Sequence, residues 1–168
     1  ITQGISRILT PLINNQNHKI IGIIEASYHD QFNNNINFKQ FTQDFLSNLF
    51  YNKPFLLENF AIKHKMPYFF MHQLNQKETI RWLKAMQPDV IVVYSMSYLL
   101  SPQIYLIPKY GTINLHPSLL PLYRGPNPIF WQYFDQQKTG GATVHFINEK
   151  EDNGNIICKQ QFPIKKGL

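Results

Sequence analysis

The chain has 168 residues, of which 43% are hydrophobic and 14% aromatic, enough apolar material to bury one core. Its one cysteine, Cys158, excludes an internal disulfide framework and a thiol-only zinc site, and the absence of any run of roughly 18 apolar residues argues against a membrane span. The net charge of +6 suits an anionic partner or substrate, but the basic residues are scattered, and a solvated basic surface accounts for them equally well.

In chain order, apolar residues at 5, 8, 9, 12 and 13 have helical spacing, with Pro11 as a kink point. Lys19–Ala26 is a short, mostly apolar run of the kind found in buried parallel strands. Ser27–Asn37 is polar and reads as a loop, and its run Asn33-Asn34-Asn35 is assigned no function. Helices are predicted over Phe38–Phe50 and Phe55–His64, on either side of Pro54. A strand is predicted over Pro67–Met71 and an amphipathic helix over Lys77–Met86. Val90–Tyr94 is, by composition alone, the most buried strand. Ser101 and Pro102 fit an N-cap and first position of a short helix to Ile107.

Thr112–His116 alternates, with Ile113 and Leu115 on one face and Asn114 and His116 on the other. Pro117 cannot donate to a sheet ladder, so the strand stops at His116. Asn127-Pro128 opens a helix through Phe134. Ala142–Ile147 alternates as a strand, Glu149–Asn155 is an acidic loop, and Asn155–Pro163 is a last strand interrupted at Gln160-Gln161. Cys158, within Ile156-Ile157-Cys158, reads as a small packed side chain. This order predicts an α/β protein: a doubly wound, mostly parallel sheet with helices on both faces, and the last two strands as an antiparallel edge. No repeat or internal boundary is visible, so residues 1–168 are read as one domain.

Two polar side chains, Asn114 and His116, thus converge at the C-terminal end of a strand, where open α/β sheets place ligands. Histidine moves protons near neutral pH, and an Asn amide can donate to a developing oxyanion. An Asn-x-His pair at a strand end is also an ordinary structural feature. Asp152, in an Asp-Asn-Gly turn, can be read as a carboxylate partner for His116 or as a solvated acidic turn. Arg124 suits a phosphate or carboxylate of a substrate, or a structural salt bridge. Leu120-Pro121 is a candidate for a cis bond. The remaining histidines, His18, His29, His64, His72 and His145, lack carboxylate or cysteine neighbours at metal spacing, and no metal is proposed.

The stretch Asn114-Leu115-His116-Pro117-Ser118-Leu119-Leu120-Pro121, followed by Tyr123-Arg124-Gly125, closely resembles the signature of the formyltransferases that use 10-formyltetrahydrofolate. The resemblance runs from Pro88 to Gln161, and the rest of the chain fits by element order. That family includes methionyl-tRNA formyltransferase, glycinamide ribonucleotide formyltransferase and sugar-amine N-formyltransferases. The resemblance implies a Rossmann-like fold, a first strand before Ile1, a further helix after Leu168 and a cytoplasmic location. It implies catalytic roles for Asn114, His116 and Asp152, the last in a loop like the family's catalytic-aspartate loop. It implies that Ser97, Tyr98, Leu99 and Leu100 contact the pterin of the folate through backbone and apolar groups. Core packing is the competing reading for Leu99 and Leu100. Glu149, Lys150 and Glu151 are expected to form the opposite wall, and Arg124 to face the acceptor. Many members carry a second aspartate where this chain has Asn155, which leaves the family branch open.

The expected function is transfer of a formyl group from 10-formyltetrahydrofolate to a primary amine. Tyr123-Arg124-Gly125-Pro126-Asn127-Pro128, with Trp131 beyond it, is more like the methionyl-tRNA and sugar branch than the purine branch. The acceptor is therefore expected to be methionyl-tRNA, with an amino sugar nucleotide or glycinamide ribonucleotide as alternatives. A module of the same fold that binds folate or an anion without turnover is the rival from another class.

Overall fold

The computed structural model describes residues 9–26, 57–71, 76–96 and 98–164. The chain divides into two compact units, 1–76 and 77–168. The loop expected over Ser27–Asn37 and the helix expected over Phe38–Phe50 lie outside the described residues.

In the first unit, residues 9–14 are helical (α1) with Pro11 inside the helix. Strand β1 (Ile23–Ala26) pairs in parallel with β2 (Tyr68–Met71), in the register Ile23↔Tyr68 to Ala26↔Met71. The strand is shorter than the apolar run, because a four-residue partner supports only a four-residue ladder. Helix α2 (Leu57–Lys63) presents Phe60 and Ala61 to Ile23, with Leu9, Ile13 and Met66 packed around them. A two-stranded sheet is marginal by itself. Burial of Ile23 and Phe60, roughly 1.5–3 kcal/mol each, is what α2 adds.

Helix α3 (Gln76–Met86) buries Thr79 and Leu83, one turn apart, as its amphipathic pattern requires. The second unit carries a four-stranded sheet of order β3-β4-β5-β6. Strand β3 (Ile91–Tyr94) is parallel to β4 (Thr112–His116), joined through the short helix α4 (Pro102–Tyr105). Helix α5 (Pro128–Phe134) leads to β5 (Thr139–Phe146), which is antiparallel to β4 and forms a hairpin with β6 (Ile156–Pro163). The α/β class and the antiparallel edge are as expected. Among the described residues, β1 pairs only with β2 and β3 only with β4.

Four expectations need correction. Strand β3 is not thoroughly buried: Val93 is, but Val92 is 56% and Tyr94 42% exposed. An apolar run is necessary for a strand covered on both faces, and it is not sufficient. Helix α4 stops at Tyr105, and Ser101 has cap geometry without a side-chain cap hydrogen bond. Its Oγ is buried and unpartnered. Strand β6 runs unbroken through Gln160 and Gln161, because as the last strand of its sheet it exposes all eight residues and tolerates polar ones. For the same reason Cys158 is exposed rather than packed.

Candidate active site

Strand β4 is the base of the site. Its alternation puts Thr112, Asn114 and His116 on one face. The Thr112 hydroxyl donates to Tyr105 O at 2.9 Å and ties β4 to the end of α4. Antiparallel neighbours directly opposite share a face. The β4–β5 register sets Asn114 against His145 and His116 against Thr143. Four polar side chains therefore project together, and His116 and His145 are only 5% and 2% exposed.

Asp152 enters from the loop between β5 and β6. The Ile147 N–H donates to Thr112 O (2.8 Å) and the Phe146 N–H to Asn155 O (2.9 Å), so the loop is closed at both ends. Gly154 lies so close that an added Cβ would stand 1.7 Å from Phe146 O. Asp152 itself has φ of 45°, the left-handed region that aspartate enters more readily than most residues.

The carboxylate is held from both sides. Its Oδ1 accepts from Asn114 Nδ2 at 3.2 Å and lies 3.4 Å from His145 Nε2. Its Oδ2 accepts from the Gly125 N–H at 2.9 Å and lies 3.3 Å from His116 Nδ1. Burial pushes the Asp152 carboxyl upward, but the His145 and Gly125 hydrogen bonds and the two nearby imidazoles outweigh it, and its pKa is lowered overall. Asp152 is thus the fixed negative charge of the site.

A backbone carbonyl only accepts, so each imidazole has one proton already placed. The His116 Nε2–H donates to Tyr123 O (2.8 Å), and the His145 Nδ1–H to Phe146 O (2.9 Å). In both rings the remaining nitrogen faces Asp152, and a proton added to either ring lands beside the carboxylate. While His145 is neutral, its Nε2 can accept the second N–H of Asn114, 3.3 Å away.

This cluster lies in a cavity of about 580 Å³, within the usual range for a small-molecule site. Asn114, His116 and Asp152 line it together, as do Tyr98, Leu99 and Leu100 on one side and Lys150 and Glu151 on another. Leu100 is buried, whereas Leu99 is 64% exposed. Ser97 lies outside the described residues. Glu149 and Arg124 do not line the cavity. Arg124 is exposed, next to the lining residue Gly125. The Leu120–Pro121 bond is cis. His145 belongs to the cluster although its sequence neighbours do not mark it, since it lacks acidic or cysteine neighbours at metal spacing. The alternation of β5, set against that of β4, would have placed it opposite Asn114.

A family model described as formyl transferase matches residues 50–168. The bifunctional polymyxin resistance protein ArnA of Wigglesworthia glossinidia brevipalpis is 38% identical over 106 residues, which are 63% of this chain and 16% of that protein. A methionyl-tRNA formyltransferase of Clostridium tetani is 43% identical over 91 residues, 54% of this chain and 29% of that enzyme. The chain therefore spans less than a third of either relative's length. Among solved structures, glycinamide ribonucleotide transformylase 1 from Geobacillus kaustophilus superposes with a TM-score of 0.60 at 28% identity, covering 69% of this chain and 65% of that one.

Proposed function

The chain belongs to the formyl transferase family, and on that premise we propose that it transfers a formyl group from 10-formyltetrahydrofolate to a primary amine, with methionyl-tRNA as the acceptor. The observation that carries the chemistry is the grip of Asp152 on Asn114 and the two imidazoles at the wall of one cavity. The family match runs across the boundary between the two units, which supports reading the chain as one catalytic domain.

The reaction needs an oxyanion donor, a path for the amine's proton and a proton for the leaving folate nitrogen. Asn114 supplies the donor. Its second N–H is available to the formyl oxygen once the His145 Nε2 carries a proton and turns from acceptor to donor towards Asp152. His116 supplies positive charge and a proton beside Asp152. The pterin is assigned to Tyr98, Leu99, Leu100, Lys150 and Glu151, with peptide groups reading its edge and apolar side chains its face, a reading supported by their lining the same cavity as Asn114, His116 and Asp152.

The acceptor rests on the 43% identity to a methionyl-tRNA formyltransferase. The likeness to a solved glycinamide ribonucleotide transformylase favours a second reading, that acceptor instead. Incubating the full-length protein with 10-formyltetrahydrofolate and, separately, methionyl-tRNA, an amino sugar nucleotide and glycinamide ribonucleotide decides between them. Formyl-methionyl-tRNA as the main product is expected. Transfer to another acceptor reassigns the substrate, and folate binding without transfer to any supports a non-catalytic module.

A further inference from the structure

Between β4 and α5 the chain makes a tight turn, 117–123, that is bonded to β5, β6 and α5. The Thr143 Oγ1–H donates to Ser118 O (2.7 Å) and the same oxygen accepts from the Leu120 N–H (3.1 Å). Gln132 Nε2 donates to Pro117 O at 2.9 Å. Lys159 Nζ donates to Leu120 O and the Leu122 N–H to Leu119 O, so the turn has anchors besides the Ser118 side chain. Ser118, fully buried, adds a hydroxyl that donates to Leu122 O at 2.7 Å and approaches Tyr123 O at 3.5 Å.

Tyr123 has φ of 57°, a left-handed conformation that a non-glycine residue keeps only where its surroundings hold it. Two contacts hold it: the Ser118 hydroxyl on the adjoining carbonyls, and the Tyr123 phenol, which donates to Asp135 Oδ2 at 2.9 Å. What this conformation achieves is the aim of one group, the Tyr123 carbonyl, at His116 Nε2. That contact keeps the ring's first proton on Nε2. The Nδ1 edge is left facing Asp152 Oδ2, so the second proton is taken up there. Among the described residues, His145 also faces the ring, its centroid 6.4 Å away. A ring free to exchange tautomers would instead carry its one proton on Nδ1, donate it to Asp152 Oδ2 and lose the carbonyl contact.

We propose that Ser118 is a positioning residue for the transfer step: through the Leu122 and Tyr123 carbonyls it fixes the Nε2–H tautomer of His116, and with it the nitrogen that loads and unloads the mobile proton. This rests on the formyl-transfer reading for its consequence in turnover, and on geometry alone for the tautomer.

The test is long-range proton–nitrogen NMR of the histidine rings in the full-length protein, with formyl transfer measured on the same samples. The wild type should show His116 as a single tautomer with the proton on Nε2. In Ser118→Ala that proton should be shared between the two nitrogens, His145 should be unchanged, and kcat should fall about ten-fold with the KM for the folate donor unmoved. If Ser118→Ala does not fold, Ser118→Cys keeps the volume with a weak donor and is read in the same way. A wild-type ring protonated on Nδ1 overturns the proposal. So does a variant whose His116 spectrum or kcat matches wild type, even if it melts earlier, since lowered stability alone marks a merely structural serine. A tautomer shift in the variant, with no transfer by the wild type to any acceptor, instead locates the failure in the formyl-transfer reading.

Discussion

Gly125 serves Asp152 in two ways. Its N–H is one of the two hydrogen bonds donated to the carboxylate by groups other than the imidazoles, and its φ of +84° aims that N–H. A side chain would be strained there and would meet the Glu151 carboxylate at 3.4 Å. Gly125→Ala should cost about 1–2 kcal/mol of stability and lower turnover more than folate affinity, as read from a urea melt beside a binding titration. Wild-type turnover in this variant would show that the Gly125 N–H does not matter to Asp152. The carboxyl also sets a pH dependence. Its pKa in the folded protein lies below the ordinary value, so its contribution to stability is complete above the unfolded pKa of about 4 and is lost as pH falls through the lower folded value. The gap in urea midpoint between wild type and Asp152→Asn should shrink as the pH falls below about 4 and through the lower folded value. A gap that widens in acid would mean that the carboxyl is shifted upward instead.

The β5–β6 hairpin is the element that carries the acid to the bases. Its loop can take only the path it has while residue 154 lacks a Cβ, which would stand 1.7 Å from Phe146 O. Gly154→Ala must therefore move the loop, and with it Asp152. A displacement of about 1 Å at a reacting group costs on the order of a hundred-fold, so turnover should fall by about that much. A crystal structure of the variant with Asp152 in place, or undiminished turnover, would contradict this. The hairpin also shows what was legible. The strand end with Asn114 and His116 could be read from residue types and period-two alternation, whereas Asp152 stood out only through the resemblance of its loop to the family's, since an Asp-Asn-Gly turn alone reads equally as solvated. His145 could not be read from its own neighbours, since its role appears only when the β4 and β5 registers are set side by side. The exposure of Cys158 was not legible, because apolar neighbours signal a strand without saying whether anything covers it. Strand β6 exposes all its residues, so Cys158 should react with a thiol reagent in the folded protein, without prior unfolding. Reaction only after unfolding would mean that β6 is covered.

At the scale of the whole molecule, the match to the family covers residues 50–168, and the described elements supply one cavity wall from β3–α4, a base from β4 and a second wall from the hairpin. Element order and class were readable because parallel strands joined by helices have few topologies. The extent of each strand was not, because it depends on the partner's length and on what lies across each face. None of the described helices is long and apolar enough to cross a membrane. The central claim is that Asn114, His116 and Asp152 act on the reacting formyl group rather than simply support the fold. Single-turnover formyl transfer by the full-length protein, wild type against His116→Ala, with folate affinity measured on both, tests it most directly. A fall of about 10²–10³ or more in the transfer rate, with folate affinity little changed, is the predicted result. Equal rates in the two proteins would contradict it.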